Sequence, residues 1–164
     1  LITAKSEPVF GAVYKIAAVE EKPGEFVPRI KISENVEKIT NPGLKKVYRI
    51  SDEEGRAIAD MLAKADEVVD MSQPFRYVDP TKPWKNRYFE HCHAVELQKQ
   101  IIKNGELVYE LPTLDEIAAY VKRQLSEEIW EEEQRFEYPH LHYLDMTPDY
   151  YEMKMQLLND LSMK

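Results

Sequence analysis

A basic, hydroxyl-bearing segment interrupts an otherwise acidic chain. Six basic residues lie between positions 29 and 49 against two acidic ones, whereas the whole 164-residue chain has a formal net charge of -8. Ammonium, guanidinium and hydroxyl groups are the donors that hold phosphate or pyrophosphate oxygens. The turn Asn41-Pro42-Gly43 is expected to leave backbone N–H groups free nearby. The segment therefore predicts an anion site, although composition alone equally fits a solvated strand pair.

Charge is divided unevenly along the chain. Residues 1–50 carry a net charge of +3, and the remainder carries -11. A nucleic-acid interface needs a basic face, and the acidic run at 127–133 would repel phosphate backbones, so we exclude nucleic acid as a partner. No apolar run approaches the length of a membrane span, so no membrane partner is expected. The single cysteine, Cys92, excludes an intrachain disulfide and favours a cytoplasmic location.

The elements that must position the basic segment are strands. Short β-branched or aromatic runs at 12–16, 27–32 and 46–50 alternate with turn patterns at 22–25 and 52–55. This pattern predicts antiparallel strands and hairpins, with the basic segment between strands. On composition alone, residues 56–67 fit either an alanine-rich helix or a return strand.

Downstream, the chain is predicted to change from irregular to helical. Residues 70–92 contain three prolines and little periodicity. Thr113 and Glu116 form a capping box. Apolar residues recur behind it at helical spacing: Leu114, Ile117, Val121, Leu125 and Ile129 or Trp130. The fold class is therefore α+β, with N-terminal antiparallel strands and hairpins at 1–68, an irregular arm with short strands at 69–110 and two helices at 111–164, together one domain.

The second helix is predicted to begin at Thr147, with Pro148 at its first helical position. Its buried stripe is predicted to be Tyr151, Met155 and Leu158. Three carboxylates near its start complement the helix dipole and need no catalytic role: Asp145, Asp149 and Glu152.

His91, Cys92 and His93 are residue types that bind zinc, but adjacent ligands do not converge easily on one ion. Neighbouring residues on a strand also face opposite sides, which argues against a catalytic Cys–His pair. The other histidines, His140 and His142, bring no cysteine partner. We predict a surface segment here and no metal site.

Four short motifs follow one another in the basic segment: Lys-Ile-Ser at 31–33, Glu-Lys-Ile-Thr at 37–40, Asn-Pro-Gly at 41–43 and Lys-Lys-Val-Tyr-Arg at 45–49. Further motifs lie at 1–15, 47–60, 79–80, 84–85, 104–109 and 111–117. In the order and spacing of all these motifs, the chain resembles the C-terminal region of bacterial nicotinate phosphoribosyltransferase along essentially its whole length. The resemblance favours a strand over a helix at 56–67.

The resemblance implies a function in NAD biosynthesis. Members of the family transfer a phosphoribosyl group from its 1-pyrophosphate to nicotinate, giving nicotinate mononucleotide, with coupled ATP hydrolysis and a need for magnesium. They are homodimers whose active sites use residues of both subunits. Basic residues of the C-terminal region are expected to reach the phosphate site, and the phosphate- or substrate-binding residues implied here are Lys31, Ser33, Lys38 and Arg49.

The chain departs from the family in one respect. It contains no match to the family's acidic phosphoribosyl-binding loop or to its transiently phosphorylated histidine. We therefore expect a catalytic part before Leu1, no catalytic residue and no cofactor bound by this chain alone, and no activity in isolation. Two other functions stay open, a non-catalytic structural or dimerisation domain and an anion-binding regulatory module.

Overall fold

The computed structural model describes residues 14–35 and 38–162, and these form an α+β fold, as the sequence predicts. The strands are β1 (Ala18–Lys22), β2 (Glu25–Pro28), β3 (Lys45–Ser51), β4 (Ala57–Lys64), β5 (Phe75–Tyr77), β6 (Arg87–Phe89), β7 (His93–Glu96), β8 (Ile102–Lys103), β9 (Glu106–Leu107) and β10 (Leu144–Met146). The helices are α1 (Leu114–Arg123), which continues into a π-helical segment (Gln124–Glu128), and α2 (Pro148–Ser162).

The centre of the fold is a four-stranded sheet in the order β10-β4-β3-β7. β3 pairs antiparallel with both β4 and β7, whereas β10 runs parallel to β4. The turn between β3 and β4 contains Gly55 at φ +85°, a left-handed conformation that glycine adopts without steric cost. The predicted hairpin at 52–55 and the predicted strand at 56–67 are therefore confirmed.

The core lies on both faces of this sheet because side chains alternate along each strand. On one face, Ile50 and Met61 pack with Phe89 and Cys92, and the rings of Tyr77 and Phe89 stack with centroids 3.9 Å apart. On the other face, Leu62 and Met146 pack with Tyr150 of α2. The sheet thus separates two small clusters rather than covering one.

Three two-stranded hairpins accompany the sheet: β1–β2, β5–β6 and β8–β9. The hairpin at 22–25 is confirmed, but its strands occupy 18–22 and 25–28, so the predicted bounds 12–16 and 27–32 are wrong. Residues 12 and 13 of the first prediction, and almost all of the matching motif at 1–15, lie outside the described residues. The ladder of β1 and β2 ends at Pro28, and residues 29–32 belong to no strand.

Both helices begin where the sequence places them. Thr113 caps α1 by accepting from the Glu116 N–H, and the Glu116 carboxylate accepts from the Thr113 N–H at 2.7 Å. The Thr147 hydroxyl accepts from the Tyr150 N–H at 3.2 Å and caps α2.

Neither helix has a fully buried apolar stripe, and the stripe predicted to be buried in α2 is only half-buried. α1 has no buried residue, and its first apolar residue, Leu114, is 84% exposed. In α2 the buried residue is Tyr150, while Tyr151, Met155 and Leu158 are half-buried. Within the described residues, no helix combines the length and the apolar character needed to cross a membrane.

Candidate functional site

Three of the four implied phosphate-binding residues line one open cleft. Lys31, Ser33 and Lys38 stand with Lys15 and Arg29 around a cavity of about 620 Å³, which we call the basic cleft. Its apolar wall is formed by Tyr14, Ile16, Val19 and Ile30. The cleft therefore combines four cationic side chains with an apolar surface, which suits a ligand that carries both anionic and ring atoms.

Backbone hydrogen bonds fold the basic segment over the first hairpin. The carbonyl of Ala17 accepts from the Arg29 N–H at 2.8 Å and from the Gly43 N–H at 2.7 Å, so Arg29 and Gly43 are both tied to the residue that precedes β1. The Lys15 ammonium donates to the Lys38 carbonyl at 2.8 Å. These contacts bring residues that are 23 positions apart onto one surface.

The charges of the basic cleft differ in their availability. The guanidinium of Arg29 pairs with Glu21. Within residues 14–35 and 38–162, the ammonium groups of Lys31 and Lys38 take part in no hydrogen bond or ion pair. The Ser33 hydroxyl accepts from the Asn35 N–H at 3.3 Å, which leaves its own proton to donate. These three side chains therefore have donors to offer an anion.

The Asn41-Pro42-Gly43 turn does not supply the free backbone donors that the sequence suggests. The Gly43 N–H is donated to Ala17, and the carbonyl of the fully buried Pro42 accepts from the Tyr150 hydroxyl at 2.8 Å. Burial raises the pKa of Tyr150 well above its ordinary value. Lys154 donates to the Asn41 side chain at 2.7 Å. The turn is a docking point for α2 rather than an anion nest.

Arg49 does not lie in the basic cleft. Its guanidinium donates two hydrogen bonds to Asp60 on β4, from Nε to Oδ1 at 2.9 Å and from Nη2 to Oδ2 at 3.1 Å. Hydrogen bonding to the Asp60 carboxylate raises the pKa of Arg49, outweighing the opposing effect of burial. The structure thus gives Arg49 a bidentate partner inside the sheet and places it at a different cleft, beside Tyr120 and Glu128.

A histidine joins this ion pair to the acidic segment that follows α1. His142 Nε2 lies 3.4 Å from Asp60 Oδ1, and His142 Nδ1 lies 3.2 Å from both carboxylate oxygens of Glu133. The acidic run at 127–133 therefore contributes Glu133 to a partly buried network. The pairing of β4 with β10 places Asp60 beside the segment that contains His142.

A second cavity, of about 370 Å³, lies beside β10 and the β5–β6 hairpin. We call it the acidic pocket, and its lining includes Ala59, Tyr77, Arg87, Tyr88, Glu90 and Asp145. The sequence suggests that Asp145 lies near a helix start. In the structure it lies in β10, where it is 4% exposed. Desolvation, with a smaller effect of Asp79, raises the pKa of Asp145 to about 6 against the opposing charge of Arg87.

Asp79 has the opposite environment although it is equally buried. Desolvation raises its pKa, but hydrogen bonds from the Thr81 hydroxyl at 2.6 Å and the Thr81 N–H at 2.9 Å outweigh that effect, together with the charge of Arg87. The pKa of Asp79 therefore lies below its ordinary value. Arg87 Nη1 lies 3.8 Å from Asp79 Oδ2, and the Arg87 guanidinium also interacts with the side chain of Tyr77.

The His91-Cys92-His93 segment shows no arrangement for zinc. The Cys92 thiol is buried and donates to the Glu90 carbonyl at 3.1 Å, and burial raises its pKa. His91 lies 3.5 Å from Glu53 in a left-handed backbone conformation, φ 54°. Across the part of the chain that the structure describes, no group of three or more histidine, cysteine, aspartate or glutamate side chains is placed to hold a metal ion.

Comparison with known proteins decides the family. Residues 44–154, which contain the central sheet and α1, match the family model of the nicotinate phosphoribosyltransferase C-terminal domain. This chain belongs to that family.

Curated relatives extend the match beyond these residues. Nicotinate phosphoribosyltransferase from Bacillus subtilis (strain 168) is 37% identical over 162 residues, which is 98% of this chain and 33% of the relative. The protein of that name from Caenorhabditis elegans is 32% identical and matches 90% of this chain and 24% of its own length. The chain thus spans a third or less of the length of these two relatives.

A solved structure supports the fold. The crystal structure of human nicotinic acid phosphoribosyltransferase superposes on 71% of this chain and 23% of its own, with a TM-score of 0.67 and 23% sequence identity. The family model begins at residue 44, so it includes Arg49 and the acidic pocket but excludes Lys31, Ser33 and Lys38. The basic cleft is covered instead by the match to the Bacillus subtilis relative.

Proposed function

We propose that this chain works as the C-terminal domain of a longer nicotinate phosphoribosyltransferase. That enzyme would transfer the phosphoribosyl group of phosphoribosyl pyrophosphate to nicotinate, with ATP hydrolysis, and so serve NAD biosynthesis as an ATP-coupled ligase. The observation that carries the proposal is the family match over residues 44–154. Because the chain spans about a third of its Bacillus subtilis relative, the catalytic part is assigned to the remaining length.

The role proposed for the basic cleft is electrostatic. Phosphoryl and phosphoribosyl donors carry negative charge that a site must neutralise and position, with little covalent chemistry asked of these side chains. Lys31 and Lys38 would each hold a phosphate oxygen by a charge-assisted hydrogen bond, and Ser33 would donate its hydroxyl proton to a third. Support comes from their shared position on one cleft and from the absence of partners for both ammonium groups within the described residues.

Arg49 has a different proposed role. Its two hydrogen bonds to Asp60 already use one edge of the guanidinium, so a phosphate would have to compete with a bidentate carboxylate. We assign Arg49 to holding β3 against β4 rather than to the basic cleft.

We assign the binding of magnesium and ATP to the rest of the longer enzyme. Magnesium prefers several oxygen ligands in a near-octahedral arrangement, and the described residues contain no group of three or more histidine, cysteine, aspartate or glutamate side chains placed to hold a metal ion. These groups, and the catalytic residue itself, are proposed to belong to the rest of the longer enzyme. The isolated chain is accordingly expected to be inactive, and the enzyme to be a cytoplasmic homodimer.

Steady-state kinetics of the longer enzyme tests the role of the basic cleft. Lys31→Ala and Lys38→Ala should each raise the KM for phosphoribosyl pyrophosphate roughly tenfold, because one lost charge-assisted contact is equivalent to about 1.4 kcal/mol. Lys103→Ala, which removes an exposed lysine from the β8–β9 hairpin, is the matched control and should leave the KM unchanged. Unchanged KM and turnover in both cleft variants would contradict the assignment.

An anion-binding module without catalysis is the second candidate. The observation in its favour is that the cleft exists within these residues alone, with no other chain present. It predicts saturable heat on titrating the isolated chain with pyrophosphate in a calorimeter, lost in Lys31→Ala. The enzyme-domain proposal instead predicts that tight binding requires the longer polypeptide.

A further inference from the structure

The strongest unexplained feature of the molecule is the carboxylate of Asp145. Its residue is 4% exposed, yet within residues 14–35 and 38–162 it makes no side-chain hydrogen bond and no ion pair. A buried charge normally has a partner, because desolvation of an unpaired ion is costly. Asp79, which is equally buried, has two donors from Thr81 and the Arg87 guanidinium. Asp145 is therefore unusual even beside its neighbour.

The missing partner is not supplied by the nearest cation. Arg87 lies 3.8 Å from Asp79 and beyond ion-pair distance of Asp145. The carboxylate instead lines the acidic pocket, a cavity of about 370 Å³ that is within the size range of small-ligand sites. Because no described side chain pairs with this carboxylate and it borders an accessible cavity, it is open to a ligand that carries a donor.

The charges around the pocket favour a cation. Asp145, Glu90 and the adjacent Asp79 outnumber Arg87, so the local balance is negative. At neutral pH an anion would meet three carboxylates, whereas a cation would compensate Asp145. The walls are also aromatic, with Tyr88 and Tyr143 half exposed at the opening, and aromatic faces attract cations.

We propose that the acidic pocket is a binding site for a cationic nitrogen group, a guanidinium or a primary ammonium, whose N–H groups donate to the Asp145 carboxylate. The group is carried either by a small molecule or by an arginine or lysine side chain of the longer polypeptide. Its positive charge takes the place that a salt-bridge partner would have. This site is separate from the basic cleft and does not depend on the function proposed for it.

Methylguanidinium is the probe for the test. It has a planar donor edge for a carboxylate and only five non-hydrogen atoms, so a dissociation constant on the order of 1 mM is expected. The full 164-residue chain is titrated at pH 7.5 with ¹³C-methyl labels on alanine and methionine. The Ala59 methyl lines the pocket and should shift in a saturable way, whereas the Met146 methyl packs with Leu62 and Tyr150 on the other face of the sheet and should shift little.

Two further probes separate charge from hydrogen bonding. Tetramethylammonium has the charge without donors, and methylurea has donors without the charge. Both should bind at least about tenfold more weakly than methylguanidinium, because a hydrogen bond to a charged group contributes about 1.5–3 kcal/mol. Equal binding by either probe would overturn the proposal.

The decisive variant is Asp145→Asn, which keeps the size of the side chain and removes its charge. It should weaken methylguanidinium binding at least about tenfold while retaining the methyl spectrum of a folded protein. Glu90→Gln is the matched control, since it removes an exposed carboxylate from the rim and should cost far less. No saturable shift in the parent chain, or equal binding by Asp145→Asn, would overturn the proposal.

The same titration of the longer polypeptide distinguishes the two sources of the cation. If a free ligand is bound, Ala59 shifts with the same midpoint as in the 164-residue chain. If a polypeptide side chain fills the pocket, the Ala59 methyl already has its bound shift and does not respond to methylguanidinium. Both results require a cation-binding pocket. If the Ala59 methyl of the longer polypeptide instead has the shift of the unliganded 164-residue chain and does not respond to methylguanidinium, the proposal is contradicted.

Discussion

The basic cleft and the acidic pocket both contain charges without a protein partner, but the free-energy cost of leaving the charge unpaired differs between them. Lys31 and Lys38 are exposed, so water solvates their ammonium groups and little is lost by leaving them unpaired. Asp145 is buried, and desolvation raises its pKa to about 6. An unpaired surface charge is compatible with a resting binding site, whereas an unpaired buried charge reduces stability until something pairs with it.

The largest expected effect on stability comes from removing the contact between the basic segment and the central sheet. Tyr150 is fully buried, packs on Leu62 and Met146, and donates to the Pro42 carbonyl at the end of the basic segment. Tyr150→Ala should lower the free energy of unfolding by about 3–5 kcal/mol, because it leaves a large cavity and an unsatisfied carbonyl. Urea denaturation measures this value.

Tyr150→Phe is the control for that substitution. It keeps the ring and removes only the hydroxyl, so a loss of about 1–2 kcal/mol is expected. Equal losses in both variants would show that packing of the ring contributes nothing, contrary to the account.

The acidic pocket predicts an unusual pH dependence. The pKa of Asp145 is higher in the folded chain, about 6, than its ordinary value of 3.8, so the folded state holds the proton more tightly. Its contribution to stability is full below pH 3.8 and is lost as the pH rises through 6. Asp145→Asn should therefore gain stability relative to the parent between pH 4 and 7, by up to about 3 kcal/mol.

Urea denaturation at several pH values checks this difference. Asp79 does not confuse the result, because its pKa is lowered and its stabilising effect is lost only at pH values below that window. Asp149→Asn removes a carboxylate from the exposed start of α2 and controls for net charge. A constant difference between Asp145→Asn and the parent from pH 4 to 7 would refute the assigned environment.

An intermediate effect is expected where a charge is both partly buried and paired. Each side chain of the Arg49–Asp60 pair is 20% exposed. Asp60→Ala should cost about 2 kcal/mol, because Arg49 loses two hydrogen bonds and His142 loses a contact. Arg49→Ala and the double variant complete a thermodynamic cycle, and a coupling energy near zero would contradict the pair.

The smallest effect on stability belongs to the basic cleft. Lys31→Ala and Lys38→Ala should change the free energy of unfolding by less than about 0.5 kcal/mol, because no described contact depends on either ammonium. Thermal and urea unfolding of the isolated chain provide the measurement. A loss of more than about 1 kcal/mol would mean that these lysines have structural partners and are not held available for an anion.

Local patterns in the sequence predicted the elements that are determined locally. The capping box at Thr113 and Glu116, the N-terminal Pro148 of α2 and the turn at Gly55 depend on neighbours within a few residues, and all three are present. The strand at 56–67 needed the family resemblance, because alanine-rich composition also fits a helix. The stripe predicted to be buried in α2 is only half-buried, because periodicity shows an apolar face but not what covers it.

The two candidate sites also differ in how far local sequence patterns reveal them. The structure brings Lys31, Ser33 and Lys38 to one cleft, and their binding of phosphate stays a prediction. The sequence could not show that Arg49 lies apart from them, since its partner Asp60 is defined by the register of β3 and β4. It missed the acidic pocket, because β10 pairs with β4 across more than 80 residues and only that pairing buries Asp145.

The most direct test of the central claim compares the isolated 164-residue chain with the longer polypeptide of which it is proposed to be the C-terminal domain. Formation of nicotinate mononucleotide from nicotinate and phosphoribosyl pyrophosphate is measured with ATP and magnesium. The account predicts turnover by the longer polypeptide, none by the isolated chain, and a raised KM for phosphoribosyl pyrophosphate in Lys31→Ala. Turnover by the isolated chain, or a longer polypeptide that makes no nicotinate mononucleotide, would contradict it.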